Sequence, residues 1–526
     1  MDQAIENLVD ISSSKAAMHA AADIVLERAR WASQVFQRYD RDTTLAIADA
    51  VAQAAHDNAA KYGDWAVKET GFGVAAHKIL KNQLTAKPLV DYYRDCDFVN
   101  PRFDADSNII EVPKPAGVVF ALAPSTNPIS TIYFKILCAL ITRNAIVISP
   151  HPAARECSVD AVNTLIKAAE DAGAPEAVIQ VIERPTLALI DEFMGSEKTN
   201  VILATGGSAM VRAAYSSSNP AIGVGPGNAP VFVEASADLK QAAAMIVDSK
   251  SFDNSVLCTN ESVLITLSEI SQALLRELGR NKCHICKPDE VELLRRYLFH
   301  DRGFNVEALG RDATWIAGQA GFKVQRNTKI LLTPINKIGV GEVLSREKLC
   351  PVLGYYVATS VTQAITQARA LLRYTGAGHS AAIHSSDTQT IMDYAAGVEV
   401  YRVIVNAPCS QGAAGFATNL APTFTIGTGY FGRSSVGENV GPQHLVNWTR
   451  IAWNKQASGQ INDFQSAELK HRGKLPKAPA DGVPGQSRVR REMPDPSPQA
   501  SSRTDDELRE EIRRIIAEEL RSALKE

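Results

Sequence analysis

The chain has no run of about 18 apolar residues, so it offers no segment for a transmembrane helix. Its first residues, Met1-Asp2-Gln3-Ala4-Ile5-Glu6, lack the basic stretch and apolar run of a secretory signal, and a cytoplasmic setting is the expectation. Eight cysteines in 526 residues are too sparse for a disulfide scaffold. Cys96, Cys138, Cys157, Cys258, Cys350 and Cys409 stand singly along the chain, as reduced thiols do. The single CxxC, Cys283-His284-Ile285-Cys286, has no second pair to complete a tetrahedral set, so no metal is expected. An excess of one charge sign is missing too. Lys+Arg number 55 and Asp+Glu 58, a formal net charge of −3, which gives no whole-molecule field to gather nucleic acid or an anionic membrane. No repeat of fixed period occurs.

What is present is an ordinary globular composition, 45% hydrophobic and 21% charged, with enough chain for two or three domains at about 100–200 residues each. Residues 1 to about 95 read as helical. Leu45, Ala48, Val51 and Ala55 recur at helical spacing, and no proline precedes Pro88. From about 109, β-branched runs alternate with helical stretches. Strands are expected at 117–122, 145–148, 178–182 and 200–204, with helices at 134–140, 153–171, 187–194 and 208–216. That order implies right-handed βαβ units and a parallel sheet. A second α/β stretch runs from about 237 to 425, with strands at 262–265, 329–332 and 403–405. The fold class is therefore α/β, with two such domains facing each other across a cleft.

Two side chains stand where chemistry is plausible. Cys258 follows a polar turn and precedes a strand. It reads either as a thiolate nucleophile or as a small core residue. Asn127 lies between a strand end and a helix. Its amide is either an oxyanion donor or an Asn held by the turn before Pro128. Three glycine-rich segments compete as phosphate sites. Gly427-Thr428-Gly429-Tyr430-Phe431-Gly432 matches GxGxxG but has no convincing helix after it. Thr205-Gly206-Gly207 follows a strand and opens a helix, so free N–H groups and the helix dipole can meet a pyrophosphate. Gly223 to Asn228, with Gly225 and Gly227, suits close backbone approach. Plain turn glycine remains the alternative for the last two.

Together these segments resemble the aldehyde dehydrogenase family, specifically its coenzyme-A-acylating branch. The resemblance runs from about residue 40 to 455. It is carried by Thr70 to Gly73, Pro124 to Pro128, Thr142 to Ile146, Ser149-Pro150-His151-Pro152 and Ala204 to Gly207. It continues through Gly223 to Pro230, Ser251 to Cys258, Glu347 to Pro351 and Gly376 to Ser380. The resemblance implies that Cys258 is the nucleophile and that Asn127, with the Cys258 backbone N–H, holds the oxyanion. It implies that Glu347 holds the nicotinamide ribose, that Thr205, Gly206 and Gly207 meet the pyrophosphate, and that Ser149, Pro150 and His151 meet the adenine ribose. Gly225 and Gly227 join the cofactor set, and His379 stands near the thiol. Hydrolytic members carry a general-base glutamate where this chain has Val224. Its loss favours a thiol acceptor, since a thiol needs less activation than water. NAD is the expected cofactor, with NADP open because Arg155 follows the adenine-side turn, and coenzyme A is the cosubstrate.

The resemblance also implies a domain plan. Residues 1–236 form N-terminal helices and a Rossmann-like cofactor domain, with an oligomerisation hairpin near 97–116. Residues 237–425 form the catalytic domain, and 426–456 return to the cofactor domain with an oligomerisation strand, making a dimer or tetramer. Arg433 and Ser434 lie in a region that approaches substrate in this family. They suggest an anionic aldehyde such as sulfoacetaldehyde, while a structural salt bridge for Arg433 leaves acetaldehyde and propionaldehyde open. Residues 457–503 read as a flexible, basic Pro/Gly-rich linker. In 504–526, Leu508, Ile512, Ile515, Ile516, Leu520 and Leu524 make one helical stripe behind a Thr504–Glu507 capping box. This tail resembles the encapsulation peptides of bacterial microcompartment enzymes, which implies a shell-protein partner and a place in the shell lumen. A hydrolytic dehydrogenase and a non-catalytic adaptor are the alternatives.

Overall fold

The computed structural model describes residues 15–104, 107, 109–300 and 303–453. The linker and the terminal helix expected at 457–526 lie outside the described residues.

The first described segment, to Tyr93, is helical, as its alanine-rich periodicity requires. Helices Lys15–Phe36, Arg41–Asp57, Ala59–Thr70, Ala75–Leu84 and Lys87–Tyr93 follow in order. Asp40 caps the second by accepting from the Thr43 N–H, and Gly71, at φ 76°, ends the third in the left-handed region.

A five-stranded parallel sheet comes next, with strand order Ile179–Val181, Ala145–Ser149, Val118–Leu122, Val201–Thr205, Ala221–Val224. Every residue of Val118–Leu122 and Ala145–Ser149 is buried, the mark of strands covered on both faces. Helix Pro128–Ile141 is buried along its whole length, and it begins six residues before the start expected from periodicity. Pro128 is its first residue, where a missing N–H costs nothing.

The second sheet has seven parallel strands, in the order Cys283–Ile285, Ile330–Pro334, Val352–Ala358, Glu261–Leu267, Ala229–Val233, Ala381–His384, Val403–Val405. Ala229–Val233 is one of its inner strands, so the chain passes from the first sheet to the second within residues 225–228.

Strands Arg102–Asp104 and Ile109–Pro115 form an antiparallel hairpin, and Val446–Ala452 pairs along Ile109–Pro115 to complete a three-stranded sheet. Val440, Leu445 and Val446 join the core of the first sheet. No helix among the described residues is long and apolar enough to cross a membrane.

Candidate active site

The carboxyl ends of the first sheet's strands share one edge. Leu122 pairs with Ser149 and with Ala204, and Thr205 pairs with Val224. Ligands of open parallel sheets sit outside this edge. Gly207 caps helix Ser208–Ser216 with no side-chain cap, and a Cβ built on it meets nothing within 4 Å. The first N–H groups of that helix are left without a side-chain cap beside an open Gly207, which is what a phosphate cradle needs. The Ser149 hydroxyl is buried with no partner among the described residues. An orphaned hydroxyl and an open helix start fit a dinucleotide. His151 accepts the Ala153 N–H at 3.1 Å through Nδ1, which fixes the turn after Pro150. Arg155 is paired with Glu156. The GxGxxG segment opens only a three-residue 3₁₀ turn, Tyr430–Gly432.

The crossing between sheets is where the second group converges. The Gly227 N–H donates to Glu347 Oε1 at 3.0 Å. A Cβ on Gly227 would collide with the Cys258 carbonyl oxygen and lie 3.4 Å from Cε1 of His379. Only glycine permits that approach. Gly225, two residues before, meets nothing within 4 Å. Gly376, at φ 87°, presses against Asn228, and so brings the loop of His379 onto the same crossing.

Electrostatics follow from burial. Burial pushes the Cys258 thiol up to about 12, and the nearby Glu347 carboxylate adds to the rise, while Arg402 opposes it. Burial pushes Glu347 up to about 8, against the Gly227 N–H and the charges of Lys250 and Lys348. Burial, with the Arg402 charge, lowers His379 to about 3, so the imidazole is neutral. Its Nδ1 lies 3.1 Å from the Ser380 hydroxyl, and its Nε2 has no partner among the described residues. Arg402 is spent on carbonyls, donating to His379 O and Gly427 O at 2.6 Å each and to Gly437 O.

Asn127 is the residue before helix Pro128–Ile141, and its side chain makes no cap. Lys81 Nζ donates to its Oδ1 and also to Asp253 Oδ2. Lys78 Nζ donates to Asp253 Oδ2 at 3.1 Å and to Thr126 O at 2.9 Å. All three charged side chains are buried. Asp253, Asn254 and Ser255, at φ 50°, 50° and 65°, make a left-handed turn just before Cys258. Each such residue costs about 1–2 kcal/mol, which the fixed Asp253 must offset. Sequence reasoning missed Lys78, Lys81 and Asp253. Two lysines three apart on an amphipathic helix look like a solvated face until the partner carboxylate is brought to them.

Arg433 and Ser434 are not gathered with Cys258 by any contact. Arg433 is exposed at φ 57°, with no ion pair among the described residues. The Ser434 hydroxyl is buried between Tyr215 OH at 2.9 Å and the Gly223 carbonyl at 3.2 Å. In the CxxC region, His284, Cys286 and Glu290 place one ligand atom each within 4.8 Å of one another, His284 Nε2 lying 2.8 Å from Glu290 Oε2. Glu290 also accepts the Lys287 N–H, so it is occupied in capping its own helix.

The family model described as the aldehyde dehydrogenase family matches residues 7–285. The chain belongs to the aldehyde dehydrogenase family. Its fold is the aldehyde dehydrogenase fold, as in the crystal structure of an acetylating aldehyde dehydrogenase from Geobacillus thermoglucosidasius. That structure is 34% identical, with TM-score 0.82, covering 85% of this chain and 99% of that one. A propionaldehyde dehydrogenase from the Clostridium phytofermentans fucose utilisation bacterial microcompartment superposes with TM-score 0.76 at 29% identity, over 82% and 97% of the two chains. Among curated aldehyde dehydrogenase relatives, the succinate-semialdehyde dehydrogenase (acetylating) of Clostridium kluyveri is 34% identical over 82% of this chain and 96% of its own. The sulfoacetaldehyde dehydrogenase (acylating) of Bilophila wadsworthia is 32% identical over 81% and 93%. The aldehyde-alcohol dehydrogenase of Clostridium acetobutylicum is 37% identical over 80% of this chain and 49% of its own. The chain thus spans about half the length of the aldehyde-alcohol dehydrogenases it matches.

Proposed function

We propose that the protein oxidises a short aldehyde to an acyl-CoA, reversibly, through a thioester on Cys258. The observation that carries the reading is the convergence of Cys258, Gly227, Glu347 and His379 on the crossing between the sheets, with buried Val224 where a hydrolytic member has its glutamate. The acylating relatives support it.

In this mechanism the Cys258 thiolate adds to the aldehyde carbon, and the oxygen becomes an oxyanion held by Asn127 Nδ2 and the Cys258 N–H. Each good donor contributes about 3–4 kcal/mol. A nicotinamide dinucleotide, held by Ser149, Pro150, His151, Thr205, Gly206, Gly207, Gly225, Gly227 and Glu347, supplies the hydride acceptor when bound. Loss of hydride from the adduct leaves an acyl thioester on Cys258. The thiol of coenzyme A attacks that carbonyl and gives up its proton as the new S–C bond forms, the same donors hold the second oxyanion, and Cys258 is expelled and takes up a proton as the thiol its raised value favours. His379, whose ring reaches the same Gly227 crossing as the Cys258 backbone and whose Nε2 has no partner among the described residues, is the residue this reading assigns to assist the transfer. Pairing of Arg155 with Glu156 favours NAD over NADP.

Arg433 takes an anionic aldehyde in this reading, supported by its exposure and by relatives named for succinate semialdehyde and sulfoacetaldehyde. The hairpin and Val446–Ala452 join copies of the chain. Residues 504–526 dock on a shell protein and place the enzyme in a microcompartment lumen, a reading supported by the microcompartment propionaldehyde dehydrogenase.

The test is NADH formation with and without coenzyme A, on acetaldehyde, propionaldehyde and sulfoacetaldehyde, beside Cys258→Ala. Turnover that needs both coenzyme A and Cys258 is the expected result. Equal turnover without coenzyme A would sink it. That outcome would turn attention to Glu347, whose raised carboxyl beside the thiol is the specific observation favouring a hydrolytic base.

A further inference from the structure

We propose that Lys81 is a positioning residue for the oxyanion hole: with Asp253 and Lys78 it forms a buried ionic clasp that aims the Asn127 amide and anchors the turn entering Cys258. This rests on the roles assigned above to Asn127 and Cys258.

Lys78, Lys81 and Asn82 are the buried residues of helix Ala75–Leu84. The Lys81 ammonium is a donor only, so the amide atom facing it must be the carbonyl oxygen. That fixes which way the Asn127 side chain points, an orientation that shape alone would leave ambiguous. Nδ2 then faces away from Lys81. Its protein partner is Thr126 Oγ1, at 3.3 Å, which leaves a donor unengaged for a substrate oxygen. The ammonium on Oδ1 also polarises the amide, making its N–H a stronger donor.

The same ammonium reaches the other half of the hole. Asp253 accepts from Lys81 and Lys78, and from the Val74 N–H at 2.6 Å, while its own N–H donates to His77 Nδ1 at 2.8 Å. The His77 ring stacks on Phe252 at 4.6 Å. One short helix therefore holds both the left-handed turn that delivers the Cys258 N–H and the amide from the cofactor-side sheet. Burial presses Lys81 below the ordinary lysine range, against the pull of Asp253.

The experiment uses the full chain with Lys81→Met, Asn127→Ala and the double variant. Lys81→Met leaves the Lys78–Asp253 pair intact, and Lys81→Leu, which likewise has no donor, takes its place if the Met variant does not fold. The expected result is a kcat lowered about 100-fold with KM for NAD and coenzyme A within about twofold. Alkylation of Cys258 by iodoacetamide, which needs no oxyanion hole, stays near wild type. The double variant is no more than about threefold worse than Asn127→Ala alone, because one device has been broken twice. A folded Lys81 variant with wild-type kcat, or full additivity with Asn127→Ala, overturns the clasp. If instead the wild type lacks coenzyme-A-dependent turnover, or Asn127→Ala is fully active, it is the underlying reading that fails.

Discussion

Cys258 sits in an environment that resists its ionisation. With the thiol raised to about 12 by burial and then by Glu347, its alkylation by iodoacetamide in the free enzyme should keep rising tenfold per pH unit past pH 9, with no plateau near the ordinary thiol value. Glu347 ionises near 8, so its charge opposes the thiolate only above that pH. Glu347→Gln should therefore speed alkylation at pH 9 and leave it nearly unchanged at pH 6.5. Equal effects at both pH values would show that the two groups do not interact. Gly227 permits a second residue-scale test. A side chain there meets the Cys258 carbonyl, whereas Gly225 has open space. Gly227→Ala should abolish turnover and lower the melting temperature. Gly225→Ala should melt like wild type and raise KM for the cofactor. Cys258 and Asn127 were legible as candidates from their place at strand and helix ends. Their support was not, because Lys81 and Asp253 lie 172 residues apart and signal nothing until paired.

Among elements, helix Pro128–Ile141 shows what periodicity cannot report. Every residue is buried, so no polar face marks its start, and a rule built on alternation sees only its middle. Strands fared better. Those at 145–149 and 201–205 lie within a residue of their expected bounds, because short apolar, β-branched runs bounded by polar turn residues have few other uses. The same helix carries Lys135, fully buried, which donates to the Leu122 and Leu203 carbonyls at 2.6 and 2.9 Å. Burial lowers its ammonium to about 7. Between that value and the ordinary one, the unfolded chain holds a proton the folded chain does not. Unfolding then takes up a proton, and stability rises with pH from about 7 toward 10. Relative to Lys135→Met, the wild type should gain on the order of 1 kcal/mol per pH unit over that window, read by guanidinium unfolding at pH 7, 8 and 9. A constant difference would mean that Lys135 stays charged or is already neutral throughout.

For the whole molecule, the decisive feature is that one chain builds two parallel sheets and crosses between them at residues 225–228. The three-stranded sheet ends on Arg102–Asp104, all exposed, and Phe103 and Ile451 are exposed large apolar residues on its two edge strands. Such edges seek a partner. Light scattering should give a dimer or larger. Phe103→Asp with Ile451→Asp should shift it to monomer while the melting of each protomer's sheets persists. A wild-type monomer would remove the oligomer from the proposal. The alternation of strand and helix and the helical segment up to about residue 93 could be read from local pattern, since periodicity, turn residues and capping act over a few neighbours. The same local rules do not assign strands to sheets, because a strand's own residues do not say which sheet it will join. Where Ala229–Val233 pairs, which carboxylate faces which buried lysine, and how far the Cys258 thiol is raised depend on groups far apart in sequence. Only tertiary packing sets those distances and the exclusion of water, and with them the electrostatics of the site.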